Sequence, residues 1–152
     1  MLTRIDHIGI AVQNIQDALA FFEDALGMKL ERVESEEGGR TQVAFLPVGS
    51  SDIELVEPQV ADPAAPSGDT DSGLAKFLAR RGEGVHHICL EVDDIEAALA
   101  RLKEHGAQLI DETPRRNAKG QRYAFVHPKS AHGVLIELYQ KQTRDGGPTT
   151  KD

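Results

Sequence analysis

Apolar and polar or small residues alternate from His7 to Val12, which places Ile8, Ile10 and Val12 on one face of an extended segment. The same alternation returns at Ile88, Leu90 and Val92. Each segment then changes to a helical spacing, with Ile15, Ala18, Leu19, Phe22 and Leu26 on one side of a first helix and Ile95, Ala98, Leu99 and Leu102 on one side of a second. Asn14 and Asp94 stand where an N-cap is needed, and Gly27 and Gly106 stand where a C-terminal cap is expected. Strand-like runs follow in both places: "KLERVE", "TQVAFLPV" and "DIELVEP", then "AQLIDE", "QRYAFVH" and "GVLIELYQ". The pattern predicts β-α-β-β-β twice.

A fixed offset of 80 residues superposes the two halves, pairing His7 with His87, Ile8 with Ile88, Val12 with Val92, Ile15 with Ile95 and Leu19 with Leu99. Ala44-Phe45 pairs with Ala124-Phe125 at the same offset, and after a three-residue slip Ile53-Glu54-Leu55 pairs with Ile136-Glu137-Leu138. The expected fold class is α+β, with two tandem βαβββ modules, about 1–57 and 84–141, in a single domain over 1–141. The connection 58–83 begins with the turn-rich "PQVADPAAPSGDTDS" and continues into a short helix in "GLAKFLARRGEG". The tail 142–152 is expected to be frayed.

At 152 residues and 39% hydrophobic content, the chain can close a core without disulfides, and the single Cys89 has no internal partner. No apolar run reaches bilayer length, and the first residues lack a signal-peptide pattern, so the expected location is cytoplasmic and away from membranes. A formal charge of -8 argues against general nucleic-acid affinity, although local basic clusters can still hold an anion.

The duplication also selects the chemistry. His7 and His87 occupy equivalent first-strand positions, and Glu54 and Glu137 equivalent last-strand positions. Their apolar sequence neighbours face the helices, so alternation turns all four toward the opposite side, where Gly9, Ala11 and Cys89 leave space. A lone strand histidine is ordinarily a core or hydrogen-bonding residue, and a lone glutamate ordinarily belongs to a solvated face. Four at repeat-related positions instead match two imidazoles and two carboxylates around one divalent ion such as Zn, Co, Ni or Mn, at roughly 2.0–2.2 Å. Two octahedral positions then remain for substrate oxygens.

His86 alternates to the other face and reads as structural, bonded to backbone at the strand entrance. Cys89 reads as a small core or cavity residue and His105 as a helix-end charge. His127 and His132 flank "PKSA", a loop that is either simply polar or in contact with substrate through residues such as Lys129.

"IDHIGIAV", "VAFLPVGSSDIELVEP", "KFLARRGEGVHHI" and "HPKSAHGVLIELYQ" together resemble the vicinal oxygen chelate (glyoxalase/bleomycin resistance/dioxygenase) superfamily and, within it, the methylmalonyl-CoA epimerases. The resemblance covers nearly everything except linker and tail. It implies an incomplete, cupped mixed β-barrel around one metal, cobalt favoured, held by His7, Glu54, His87 and Glu137. It implies a homodimer that interconverts (R)- and (S)-methylmalonyl-CoA, with the ion stabilising the enolate left by proton removal. Glu137 is implied as one base. For the opposite face, some members carry a glutamate where this chain has Gln42, which cannot serve as a base; Glu54, Glu91 on the cavity side, or solvent stay open, with Gln42 and Glu91 as candidate substrate contacts. For an acyl-CoA, the candidate cationic contacts are Lys76, Arg80 and Arg81 on the linker helix, and Arg115, Arg116, Lys119 and Arg122 around a hairpin; surface pairing explains either cluster equally well.

Three rivals share this pattern. A glyoxalase I-type isomerase would use the same four ligands on a glutathione hemithioacetal. A ring-cleaving dioxygenase would need only two histidines and one glutamate. A metal-free module of the same fold, sequestering a small molecule, would need no ligand set.

Overall fold

The computed structural model describes residues 1–59 and 73–141; most of the turn-rich linker and the tail expected to fray lie outside the described residues. The elements follow the duplicated order: β1 (Leu2–Ala11), α1 (Ile15–Leu19), β2 (Arg32–Glu36), β3 (Thr41–Val48), β4 (Ser51–Pro58), α2 (Gly73–Arg81), β5 (Gly84–Val92), α3 (Ile95–Glu104), β6 (Arg115–Arg116), β7 (Arg122–Val126) and β8 (Leu135–Gln140). The fold class is α+β, as the hydrophobic pattern predicts. No described helix is long and apolar enough to cross a membrane.

The chain divides into two compact units, one spanning His7–His87 and the other joining Met1–Asp6 to the residues from Ile88 onward. The division falls inside β1 and β5. In the first unit the strand order is β2-β3-β4-β1. β4 runs parallel to β1, with Gly9 opposite Glu54 and Ala11 opposite Val56, and antiparallel to β3, with Phe45 opposite Glu54. One face of this ladder packs on α1 through Val12, Ile15, Leu19, Ala44, Leu46 and Leu55. On the other face, Ala11, Val43, Phe45 and Val56 pack with Leu74 and Leu78 of α2, with Phe77 at the margin.

In the second unit the order is β5-β8-β7-β6. Phe125 lies opposite Glu137, which repeats the Phe45–Glu54 pairing. Val92, Ile95, Leu99, Ala124, Val126 and Leu138 form the core beneath α3. Both helices start alike. The Asn14 carboxamide accepts from Asp17 N at 2.9 Å and the Asp94 carboxylate from Ala97 N at 3.0 Å, which occupies amides that have no partner within the helix. The end of each last strand satisfies another helix amide, Glu57 accepting from Ile15 N and Gln140 from Ile95 N.

Two local expectations are corrected. Leu26 is 58% exposed rather than on the buried side of the first helix. After Leu19 the turns widen, Leu26 N bonding back to Phe21 O, so an extra residue per turn rotates Leu26 outward while Phe22, Met28 and Leu30 reach the core. "AQLIDE" is also not a strand. Leu109 makes an isolated bridge to Val126, and the Asp111 carboxylate accepts from Phe125 N at 2.9 Å, taking a backbone donor that another strand would use. The short edge strand is Arg115–Arg116 instead.

Candidate metal centre

The first unit brings three of the four selected residues together. His7 is carried by β1, Glu54 by its neighbour β4, and His87 ends the unit on β5. Nε2 of His7 lies 2.8 Å from Oε2 of Glu54, and Nε2 of His87 lies 3.1 Å from Nε2 of His7 and 3.9 Å from that carboxylate oxygen. One nitrogen of each imidazole and one carboxylate oxygen thus converge as a group able to hold an ion. Bonds of about 2.1 Å to a six-coordinate ion would put adjacent donors about 3.0 Å apart. The observed separations bracket that edge, and two imidazoles with a carboxylate suit a borderline divalent cation, so the residues fit the metal that the sequence implied.

Space for this arrangement comes from Gly9. A β-carbon there would stand 2.0 Å from Cε1 of His87, so the imidazole fills the volume that glycine leaves on β1. Alternation makes Gly9 a residue that leaves room; the close approach of the His87 ring is the sharper reason for glycine within a strand.

Electrostatics agree with the geometry. Burial acts to raise the Glu54 carboxyl, but the close contact with His7 and the nearby imidazole of His87 overcome it and hold the group at about 2. Glu54 is therefore an anion at neutral pH although only 8% of it is exposed.

His86 departs from expectation. Its Nδ1 lies 2.9 Å from Nδ1 of His87, and its ring stands edge-on to His87 at 5.1 Å and to Phe77 of α2 at 5.0 Å between centroids. It bonds a ring rather than the backbone, because Nδ1 adjoins Cγ, close enough to the main chain for neighbouring rings to meet at the strand margin. Burial, aided by the charge of His87, pulls His86 down to about 4 and keeps it neutral.

The remaining candidates separate. Gln42 lies opposite Glu57 on β3, three positions from Phe45, and its alternation partners Ala44 and Leu46 pack on the α1 side. It therefore sits on the face away from Glu54, which corrects its candidacy as a substrate contact beside that residue. Thr41, Val43 and Phe45 occupy the Glu54 face of that strand. In the second unit, Glu91 is bound by the Arg4 guanidinium at 3.0 Å and by the Thr3 hydroxyl at 2.9 Å, so its carboxylate is already engaged. Glu137, partly buried on β8, lies opposite Phe125 in register, with Tyr139 two residues further along the same strand. Cys89 is buried and His105 caps the end of α3, its Nδ1 lying 2.8 Å from Arg101 O, as expected.

Lys76 and Arg80 are exposed one turn apart on α2, and Lys129 is exposed in the short turn that His127 caps. Around the hairpin, Arg116 donates to Gly120 O and Arg122 pairs with Glu96, while Arg115 lies 3.8 Å from Asp111 and over the Tyr123 ring. Those three arginines have surface partners.

Comparison with known proteins places this geometry. A Bacillus subtilis protein, YqjC, of uncharacterised function, is 39% identical over 137 residues, covering 90% of this chain and 91% of its own. The mitochondrial methylmalonyl-CoA epimerase of Homo sapiens is 37% identical over 141 residues, 91% of this chain and 74% of that protein. The solved structure of Streptomyces coelicolor methylmalonyl-CoA epimerase with 2-nitronate-propionyl-CoA is 35% identical, covers 94% of this chain and 97% of its own, and has a TM-score of 0.77. A family model for the glyoxalase/bleomycin resistance protein/dioxygenase superfamily matches residues 6–125, a span that takes in His7, Glu54 and His87 and most of both modules. With that match added to the duplicated fold, the chain belongs to the glyoxalase/bleomycin resistance protein/dioxygenase superfamily.

Proposed function

We propose that this chain is a divalent-metal-dependent epimerase that interconverts (R)- and (S)-methylmalonyl-CoA. The observation that carries the reading is the convergence of His7, His87 and Glu54 through one donor atom each. The epimerases to which the chain is similar support the substrate. Glu137 is the fourth ligand in this reading, supported by its place opposite Phe125, which repeats that of Glu54 opposite Phe45. Cobalt is the first metal to test, by family resemblance, with Mn, Ni and Zn beside it.

A divalent ion held there supplies Lewis-acid stabilisation of the negative charge that develops on the thioester oxygen as the carbon acid loses its proton. The carbon between thioester and carboxylate must lose a proton on one face and regain one on the other. Glu137 takes the first role. Glu54, the carboxylate that stands with the histidines, serves the second face as an anion that orients the solvent molecule returning the proton: Gln42 faces away and Glu91 is held by Arg4. Lys76 and Arg80, with Arg116 and Lys129, are the proposed cationic contacts for the CoA phosphates and the substrate carboxylate. A homodimer belongs to the same reading, and sedimentation of the purified protein tests it.

The experiment is deuterium wash-in. Cobalt-loaded protein in deuterated water should place deuterium at C2 of methylmalonyl-CoA, and a chelator should abolish this. No exchange by the metal-loaded protein, together with turnover of a glutathione hemithioacetal, would replace the epimerase by the glyoxalase-type reaction.

A further inference from the structure

We propose that His86 is a positioning residue whose ring, clamped by Phe77, accepts a hydrogen bond from Nδ1–H of His87 and so fixes the tautomer and ring plane of that metal ligand. The proposal rests on the metal-site reading. Its observation is separate: the 2.9 Å contact between the two Nδ1 atoms and the nearly perpendicular stacking of Phe77, His86 and His87, with interplanar angles of 88° and 89°.

The protons can be assigned by valence. Nε2 of His87 is the atom aimed at His7 and Glu54, so it must offer its lone pair to an ion, and the single ring proton then belongs on Nδ1. A hydrogen bond between two Nδ1 atoms holds one proton, so Nδ1 of His86 must be the acceptor and its own proton sits on Nε2. An unsupported imidazole divides between two tautomers and rotates about its Cβ–Cγ bond. The bond from His86 selects the tautomer that can ligate, and Gly9 against the Cε1 edge of the ring limits the rotation. Phe77 matters because an acceptor that could itself turn would not define a plane. The doubled histidine of "VHHI" is thus one ligand and its orienting partner.

The test uses the whole protein, zinc as probe, and His86→Phe, which keeps a ring against Phe77 but removes the acceptor, with His86→Asn, which restores an acceptor near the Nδ1 position. His86→Phe should bind zinc about 10- to 100-fold more weakly than wild type, with its melting temperature little changed, and His86→Asn should recover most of the loss. In zinc-loaded wild type, nitrogen-15 shifts should show Nδ1 of His87 protonated and Nδ1 of His86 unprotonated. Zinc affinity of His86→Phe within twofold of wild type overturns the proposal, as does a protonated His86 Nδ1; the latter is decisive even where a variant fails to fold. Failure of the wild-type protein to bind any of the four metals is a different result, and removes the metal-site reading itself.

Discussion

The imidazole of His87 occupies the place that a β-carbon on Gly9 would take, 2.0 Å from its Cε1. The neighbour that would have to move is a ring held at its Nδ1 by His86 rather than the free end of a flexible chain. Gly9→Ala should therefore lower zinc affinity at least about tenfold and destabilise the fold by about 1–3 kcal/mol. Metal titration and thermal melting of one variant measure both, and unchanged zinc affinity would show that the ligand tolerates displacement.

Removing a ligand should be more severe than displacing one. His87→Ala is expected to abolish detectable zinc binding. Glu54→Ala also leaves two imidazoles without their buried carboxylate partner and should cost about 1–3 kcal/mol in the metal-free protein. Chemical denaturation in the presence of chelator separates that stability cost from lost metal binding, and a Glu54→Ala protein as stable as wild type would contradict the buried-pair geometry.

Acid should act in two stages on the chelated protein. His86 is depressed from 6.5 to about 4, so between those values the unfolded chain binds a proton that the folded protein does not, and stability falls as pH drops through that window. Glu54 is depressed from 4.5 to about 2, so the stability it contributes is present above pH 4.5 and is lost as pH falls toward 2. Denaturation midpoints across the acid range should show the upper stage vanish in His86→Phe and the lower stage shrink in Glu54→Gln.

Glu91→Gln separates a structural carboxylate from a catalytic one. With Arg4 and Thr3 already bound to it, the residue should matter for stability, and its replacement should lower the melting temperature while leaving deuterium wash-in within about threefold of wild type. Loss of wash-in by two orders of magnitude in a folded variant would restore Glu91 as the second base.

Much of this was readable from periodicity, because the duplication states each element twice. Ile8, Ile10 and Val12 alternate where Ile88, Leu90 and Val92 do, and Asn14 and Asp94 cap where a capping residue is needed. The pairing of His7 with Glu54 followed from the same symmetry. Gln42 could not be placed by resemblance alone: its face depends on the register that sets Phe45 against Glu54, and three residues along a strand reverse the side. "AQLIDE" misled because its apolar spacing is strand-like while the Asp111 side chain supplies the acceptor a strand partner would have supplied. The contact of His86 with His87 depends on side-chain rotation and on Phe77 from the linker helix, neither of which has a period.

The bonds of Thr3 and Arg4 to Glu91 span 88 and 87 residues of sequence, and the meeting of His7 with His87 spans 80. On the ribosome, the opening strand leaves the exit tunnel long before any of these partners exists. From His7 onward that strand gains β4 once Ser51–Pro58 is made, but Thr3 and Arg4 must wait for more than half of the chain to be translated. Early interruption of synthesis would therefore release a fragment with a sticky first strand, whereas an interruption just past Val92 would already hold His7, Glu54 and His87 in one polypeptide.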